Sequence, residues 1–139
     1  MSEIVNSTAA AKPLGAYPHA RKVGSLLFLS GIGSRDAKTN TVPGLKQNDR
    51  GEILQRDIVA ECHSVFRNVK AVLEESGAQW SDIIDVTVFL TNMKEDFEKY
   101  NSIYGEYFQD VQACRTTVEV KSLPSPISIE LKVIAALQK

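Results

Sequence analysis

The stretch IIDVTVFL at residues 83–90 decides the fold, since seven of its eight residues are apolar or β-branched, which is typical of a sheet strand. Asn92 follows it, and with Glu95 three residues later it resembles a helix-capping box. A further strand is predicted over residues 115–121. The helix between them is predicted to carry one apolar stripe, formed by Phe97, Tyr100, Ile103, Tyr104, Tyr107 and Phe108. This order indicates a strand–helix–strand crossover.

A second crossover precedes the first. Residues 25–30 (SLLFLS) lie between glycines and are apolar on both faces, which predicts a strand covered on both sides. Apolar residues at helical spacing predict a helix that Asp57 caps and Gly77 ends, while residues 33–51 have loop chemistry. With a short strand at Ile4-Val5 and a last strand over 127–137, the chain is predicted to be one domain, residues 1–139. Its fold is an α+β or α/β sheet with both helices on one face.

Composition excludes several classes of protein. The chain has 16 Lys+Arg against 17 Asp+Glu, and this balance disfavours a nucleic-acid partner. No apolar run is long enough to span a membrane, and the first residues lack the apolar centre of a signal peptide, so we expect a soluble, cytoplasmic protein. Cys62 and Cys114 are expected to be reduced core residues. Together with only two histidines they disfavour a metal site.

Alternation along the last strand predicts which residues face the open side of the sheet. Ile129 and Leu131 point one way and Glu130 the other, so we expect Glu130 to share the side that the helices leave open with Arg115 and Thr117. The inner strands are apolar on both faces, and we therefore expect this side to pack against other subunits. Arg115 and Glu130 would then lie near a subunit boundary; the alternative is a simple solvated strand face.

Two side chains on these strands are suited to the chemistry of small acids. The Arg115 guanidinium can hold a carboxylate through two parallel hydrogen bonds, although a surface ion pair is its simpler role. Glu130 is a candidate general base, and its alternative is a salt bridge to Lys132 or to Arg115. Neither a phosphate-binding loop nor a serine nucleophile motif is present.

Several segments, in order along the chain, resemble the YjgF-type Rid (reactive intermediate deaminase) family. They are PLGAY at 13–17, GSLLFLSG at 24–31, VKAVLE at 69–74, TVFLT at 87–91, Asn101-x-x-Tyr104, and finally Arg115-x-x-Val118-Glu119-Val120 with Ile129-Glu130. The resemblance implies an α+β, chorismate-mutase-like homotrimer with a central barrel and three sites between subunits. It implies hydrolysis of 2-imino or enamine acids to 2-oxo acids and ammonia without metal or organic cofactor.

The same resemblance assigns roles to individual residues. It places the carboxylate-binding arginine at Arg115 and the water-positioning glutamate at Glu130. Pocket-lining positions fall on Tyr17, Ser30, Gly31, Phe89, Asn101 and Thr117.

Departures from the family pattern indicate a subgroup. Thr117 stands where a cysteine is common, and the loop over 33–51 is longer than in general imine deaminases. These features, with Ala16-Tyr17-Pro18-His19, resemble the 2-aminomuconate deaminases, whose substrate is a diacid. Its second carboxylate needs another donor, for which His19 and Arg35 are the candidates. A general 2-imino acid deaminase, a non-enzymatic 2-oxo-acid-binding regulatory trimer, and pairing of trimers into hexamers stay open. RNA cleavage, which the family's history includes, is disfavoured by the charge balance.

Overall fold

The computed structural model describes residues 2–138, in which a mixed seven-stranded sheet carries two helices. The helices are α1 (Ile58–Glu75) and α2 (Met93–Phe108), and a 3-10 helix spans Trp80–Asp82. The strands are β1 (Ser2–Val5), β2 (Ala20–Val23), β3 (Leu26–Leu29), β4 (Ile32–Gly33), β5 (Lys46–Gln47), β6 (Ile53–Gln55), β7 (Ile83–Leu90), β8 (Cys114–Glu119) and β9 (Ile129–Ala136). None of the helices within 2–138 is long and apolar enough to cross a membrane.

The sheet has the strand order β1-β2-β3-β9-β7-β8, and β4 pairs with β9. β7 and β8 are parallel neighbours joined through α2. β3 and β7 both run antiparallel to β9, so α1 lies between two strands that point in the same direction. The two predicted crossovers are therefore confirmed, and β5 and β6 form a separate hairpin.

The helix ends follow the predicted capping chemistry. The Asp57 side chain accepts a hydrogen bond from the Ala60 N–H at 3.0 Å, and Asn92 accepts one from the Glu95 N–H at 3.2 Å. Gly77 follows α1 with a φ of +79°, a left-handed conformation that glycine adopts at low cost. Both helices bury their apolar stripes on one face of the sheet, where Leu27, Val88 and Leu131 are fully buried.

Some elements differ from the sequence-based expectation. β2 was not predicted; it forms a hairpin with β3 through a turn at Gly24, whose φ is +61°. Part of the predicted 33–51 loop, at Lys46–Gln47, pairs with β6. β8 begins one residue earlier than predicted, and the expectation that Cys114 is a core residue is wrong because it is exposed at the start of this edge strand.

The face of the sheet opposite the helices is apolar where β3 meets β9, but on β7 it carries Asp85 and Thr87 beside Phe89, so the expectation that both inner strands are apolar on this face holds only for β3. Along β9 the buried residues alternate with half-buried ones, and Ile134 lies opposite Phe28 on the open face. Register places Ile4 and Val23 on the same face, where they are 61% and 49% exposed. A single chain therefore exposes several large apolar side chains on this face, although Arg21 lies between Ile4 and Phe28, and such exposure is typical of a surface that contacts a partner.

Candidate active site

Arg115 is the centre of a first group of polar and aromatic residues, here called the arginine cluster: Arg115, Thr117, Tyr100, Asn101 and Tyr104. Its Nη1 donates a hydrogen bond to Asn101 Oδ1 at 2.8 Å, and its Cζ lies 4.7 Å from the centroid of the Tyr104 ring. The Tyr100 ring is 5.5 Å away, and cation–π attraction to both rings restrains the guanidinium. Within residues 2–138 no carboxylate lies within 4 Å of this exposed group. Its remaining N–H donors are therefore available to a carboxylate ligand.

Thr117 lies two residues further along β8, on the same face as Arg115. Its Oγ1 is 2.9 Å from the hydroxyl of Tyr100, which is fully buried on α2. Burial raises the pKa of Tyr100 and raises the pKa of Tyr104 to about 12, so both phenols stay protonated at neutral pH. The arginine cluster thus has one fixed cation and otherwise neutral hydrogen-bonding groups.

Glu130 belongs to a second group, here called the glutamate cluster, in which it lies against Gly31 and Gly31 borders a cavity with the other members: Glu130, Gly31, Ser30, Tyr17, His19 and Arg35. Its carboxylate lies against Gly31, where a Cβ would be 2.7 Å from Oε2. Gly31 is therefore required for this close approach. Burial raises the pKa of Glu130, and among residues 2–138 it has no hydrogen-bond donor or cation partner. The alternative salt bridge to Lys132 does not form, because Lys132 donates to the Leu29 carbonyl.

The other members of the glutamate cluster line a small cavity beside Gly31. Tyr17, His19, Ser30 and Arg35 all border it. Its volume is about 30 Å³, which is enough for a water molecule but not for a substrate of several carbons. The cavity in one chain is therefore at most a part of a binding site.

Hydrogen bonds within the cavity wall restrict what its side chains can do. His19 is buried; its Nδ1 accepts from the Ser7 N–H at 2.9 Å, so Nε2 carries the proton and donates to the Ala11 carbonyl at 2.8 Å. Neither ring nitrogen is free, and this geometry favours a structural role for His19. Arg35 donates to the Lys12 carbonyl at 2.7 Å and to Asn40.

The expectation that Arg115, Thr117 and Glu130 share the open face is wrong. Register places Arg115 beside Val86 and Thr117 beside Val88, both of which are buried on the helix side. Glu130 lies opposite Phe89, on the face that the helices leave open. The two clusters therefore lie on opposite faces of the same sheet, and one chain does not bring Arg115 to Glu130.

Phe89 lies on β7, the strand between the one that carries Glu130 and the one that carries Arg115. In β7 it pairs with Glu130 of β9 on one side and with Val118 of β8 on the other. Since residues directly opposite one another share a face, the half-buried Phe89 ring belongs to the same open surface as Glu130. It provides an apolar wall beside the carboxylate.

Glu61 is a further residue of the site region that the sequence did not reveal. Its fully buried Oε1 accepts from the Ser34 hydroxyl and from the Ser128 N–H, both at 2.7 Å. It thereby joins the segment after β4 to the start of the strand that carries Glu130. In the sequence it looks like an ordinary acidic residue in the first turn of a helix. Only the fold shows that its carboxylate is buried.

Comparisons with known proteins agree with this architecture. A RutC family protein of Pyrococcus horikoshii is 39% identical over 135 residues, covering 97% of this chain and 98% of the relative. A 2-iminobutanoate/2-iminopropanoate deaminase of Dermatophagoides farinae is 33% identical over 97% of this chain and 96% of its own. The crystal structure of E. coli TdcF with bound serine has a TM-score of 0.83 and 28% identity, covering 98% of this chain and 99% of that one. The family described as Endoribonuclease L-PSP matches residues 7–137, and the chain belongs to this family, the YjgF/Rid family.

Proposed function

We propose that the protein is a hydrolytic deaminase of 2-imino or enamine acids, which releases ammonia and a 2-oxo acid. Two residues carry the proposal: Arg115, which is restrained by Asn101 and Tyr104 and keeps its remaining donors free, and Glu130, a partly buried carboxylate without a partner among residues 2–138. The relative named as a 2-iminobutanoate/2-iminopropanoate deaminase supports the same reaction class.

In this proposal Arg115 binds the substrate carboxylate and thereby fixes the adjacent carbon of the C=N bond. Glu130, whose raised pKa makes it a stronger base than an ordinary carboxylate, takes a proton from a water molecule. The water oxygen bonds to the carbon, and the proton passes to nitrogen. The addition gives a carbinolamine; as its C–N bond breaks, the hydroxyl proton passes to nitrogen, ammonia leaves and the carbon retains the oxygen as the 2-oxo group. An enamine acid enters the same route after it tautomerises to the imine, when a proton moves from nitrogen to carbon.

Because one chain separates Arg115 from Glu130, we propose that each site is made by two copies in a homotrimer. The apolar residues of the open face support this assembly. Phe28 and Ile134 near its centre are half-buried, and Ile4 and Val23 at its margin are exposed. Contact with a neighbouring copy would remove them from water. β8 is an edge strand, free on its outer side within 2–138, and a neighbour can therefore reach its Arg115. Arg115 of one copy would then complete the glutamate cluster of the next.

The substrate is the finer part of the proposal. A short-chain imino acid needs only one carboxylate partner, which is Arg115. 2-Aminomuconate, the diacid suggested by the subgroup resemblance, needs a second. Both predicted partners border the cavity, but Arg35 is the better one: its guanidinium has five N–H donors, and its bonds to the Lys12 carbonyl and to Asn40 leave others free, whereas both ring nitrogens of His19 are bonded to backbone. RNA cleavage is disfavoured, since a formal net charge of −1 offers no basic stripe for phosphates.

Ammonia release tests this proposal, with 2-iminobutanoate generated in situ and 2-aminomuconate supplied in parallel. We expect Arg115→Ala and Glu130→Gln to lower catalysis of both compounds toward the uncatalysed rate. The matched controls are Arg67→Ala and Glu98→Gln, which change exposed residues of α1 and α2 outside both clusters. Arg35→Ala is expected to slow only the diacid. Binding of 2-oxo acids without ammonia release from either compound would favour the regulatory trimer instead.

A further inference from the structure

Tyr100 has a hydroxyl that the proposed reaction does not use. It lies on the buried stripe of α2, is fully buried, and makes its hydrogen bond to Thr117 of β8 rather than to backbone. A buried phenol could be replaced by phenylalanine if only packing were needed. The buried hydroxyl is therefore expected to have a function in the arginine cluster.

The neighbouring charge fixes the direction of this hydrogen bond. The Arg115 guanidinium lies over both tyrosine rings, with its Cζ 5.5 Å from the Tyr100 centroid. A cation at this place attracts the phenol oxygen and repels the hydroxyl hydrogen. Either hydroxyl could donate in this contact, and on this ground we assign the donor to Tyr100 and the acceptor to Thr117 Oγ1.

A threonine hydroxyl that accepts in this way keeps its own hydrogen for another acceptor. Thr117 follows Arg115 by two residues on the same face of β8 and is half-buried, so it is the next side chain along the strand from a carboxylate bound to Arg115. We infer that Tyr100 is a positioning residue that orients Thr117 as a hydrogen-bond donor to the small carboxylic acid held by Arg115. This inference rests on the proposed function.

Calorimetric titration of the full-length protein with 2-oxobutanoate tests the inference. Tyr100→Phe keeps the ring beneath Arg115 and removes only the hydroxyl, and we expect Kd to rise about 3- to 10-fold, the value of one hydrogen bond. Thr117→Val should raise Kd by a similar factor, whereas Thr117→Ser should bind as the wild type does. Adding Tyr100→Phe to Thr117→Val should change Kd no further, because Tyr100 acts through Thr117.

Tyr107→Phe is the matched control, since its hydroxyl is bonded to His63 at 2.7 Å outside the arginine cluster, and it should leave Kd unchanged. A Tyr100→Phe protein that binds like the wild type overturns the inference. The inference is also overturned if the factors by which Tyr100→Phe and Thr117→Val raise Kd multiply in the double variant, because the two residues would then act independently. Arg115→Ala separates the two proposals: undiminished binding in that variant removes the proposed function and the inference with it. If Arg115→Ala loses binding while Tyr100→Phe binds like the wild type, the inference is wrong and the proposed function stands.

Discussion

The arginine cluster and the glutamate cluster are built in different ways. The first depends on a packed aromatic layer, in which Arg115 lies over Tyr100 and Tyr104 and bonds to Asn101. The second depends on backbone, since Gly31 gives Glu130 its room and its carboxylate has no partner within 2–138. This difference indicates that the arginine cluster is organised for binding, whereas the glutamate cluster keeps the reactive carboxylate of Glu130 free. Variants in the arginine cluster should therefore change mainly Kd, and variants in the glutamate cluster mainly kcat.

After the loss of Arg115 or Glu130 itself, the largest effect is expected for Gly31→Ala. A Cβ at this position would lie 2.7 Å from Glu130 Oε2, so the carboxylate must move. Because displacing a reacting group by about 1 Å can cost about 100-fold in rate, we expect kcat to fall by about that factor in ammonia-release assays. Binding of 2-oxobutanoate, which depends on Arg115, should change much less.

Gly105→Ala is the control for this substitution. Gly105 lies within α2, and a Cβ there would meet no atom within 4 Å. It should leave kcat unchanged and stabilise the protein by about 0.5–1 kcal/mol, because alanine favours the helix. Equal kcat for Gly31→Ala and the wild type would contradict the role given to Glu130.

A smaller effect is expected for Arg115→Lys, which keeps the charge but loses the planar group. Lysine cannot stack on Tyr104 or bind a carboxylate through two parallel bonds. We expect the Kd for 2-oxobutanoate to rise about 10-fold, the value of roughly one charge-assisted hydrogen bond. Arg67→Lys, at an exposed position of α1, should bind normally. If Arg115→Lys bound like the wild type, charge alone would explain binding and the stacked geometry would be irrelevant.

The smallest effect concerns stability and Glu130. Burial raises the pKa of this carboxyl in the folded protein, so the folded state favours its protonated form. The group therefore contributes stability that is fully present below its unfolded pKa of about 4.3 and is lost as pH rises through the folded value. Glu130→Gln should then raise Tm at pH 7, and this gain should disappear below about pH 4. Thermal melts over this range check it; a lower Tm at pH 7 would show that the charged carboxylate stabilises the fold.

The sequence predicted best those elements whose signals are local. β7 was predicted at residues 83–90 with its observed bounds, and the caps at Asp57 and Asn92 form as expected. β2 was missed, because Arg21 and Lys22 interrupt its apolar pattern and it is held by pairing with β1 and β3. When a short polar segment is held as a strand by pairing with distant segments, its own residues show no pattern from which the strand can be predicted.

Which face of the sheet carries Arg115 could not be predicted for a related reason. Alternation in β8 separates Arg115 and Thr117 from Val118, but both faces of this sheet carry large apolar residues, such as Leu131 on the helix side and Ile134 on the open side. Polarity therefore did not indicate which set lies under the helices. The partners that decide it, Tyr100 and Asn101, were predicted only as core and pocket residues of α2.

The central claim is that each site takes Arg115 from one copy and Glu130 from another, and mixed trimers test it most directly. Arg115→Ala and Glu130→Gln chains, each with its own affinity tag, would be co-expressed and the doubly tagged trimers isolated. Every such trimer has one interface where an intact Arg115 meets an intact Glu130, so we expect about one third of wild-type ammonia release, while each variant alone stays near the uncatalysed rate. Mixed trimers as inactive as the two variants would contradict the claim, because both residues would then have to come from the same chain.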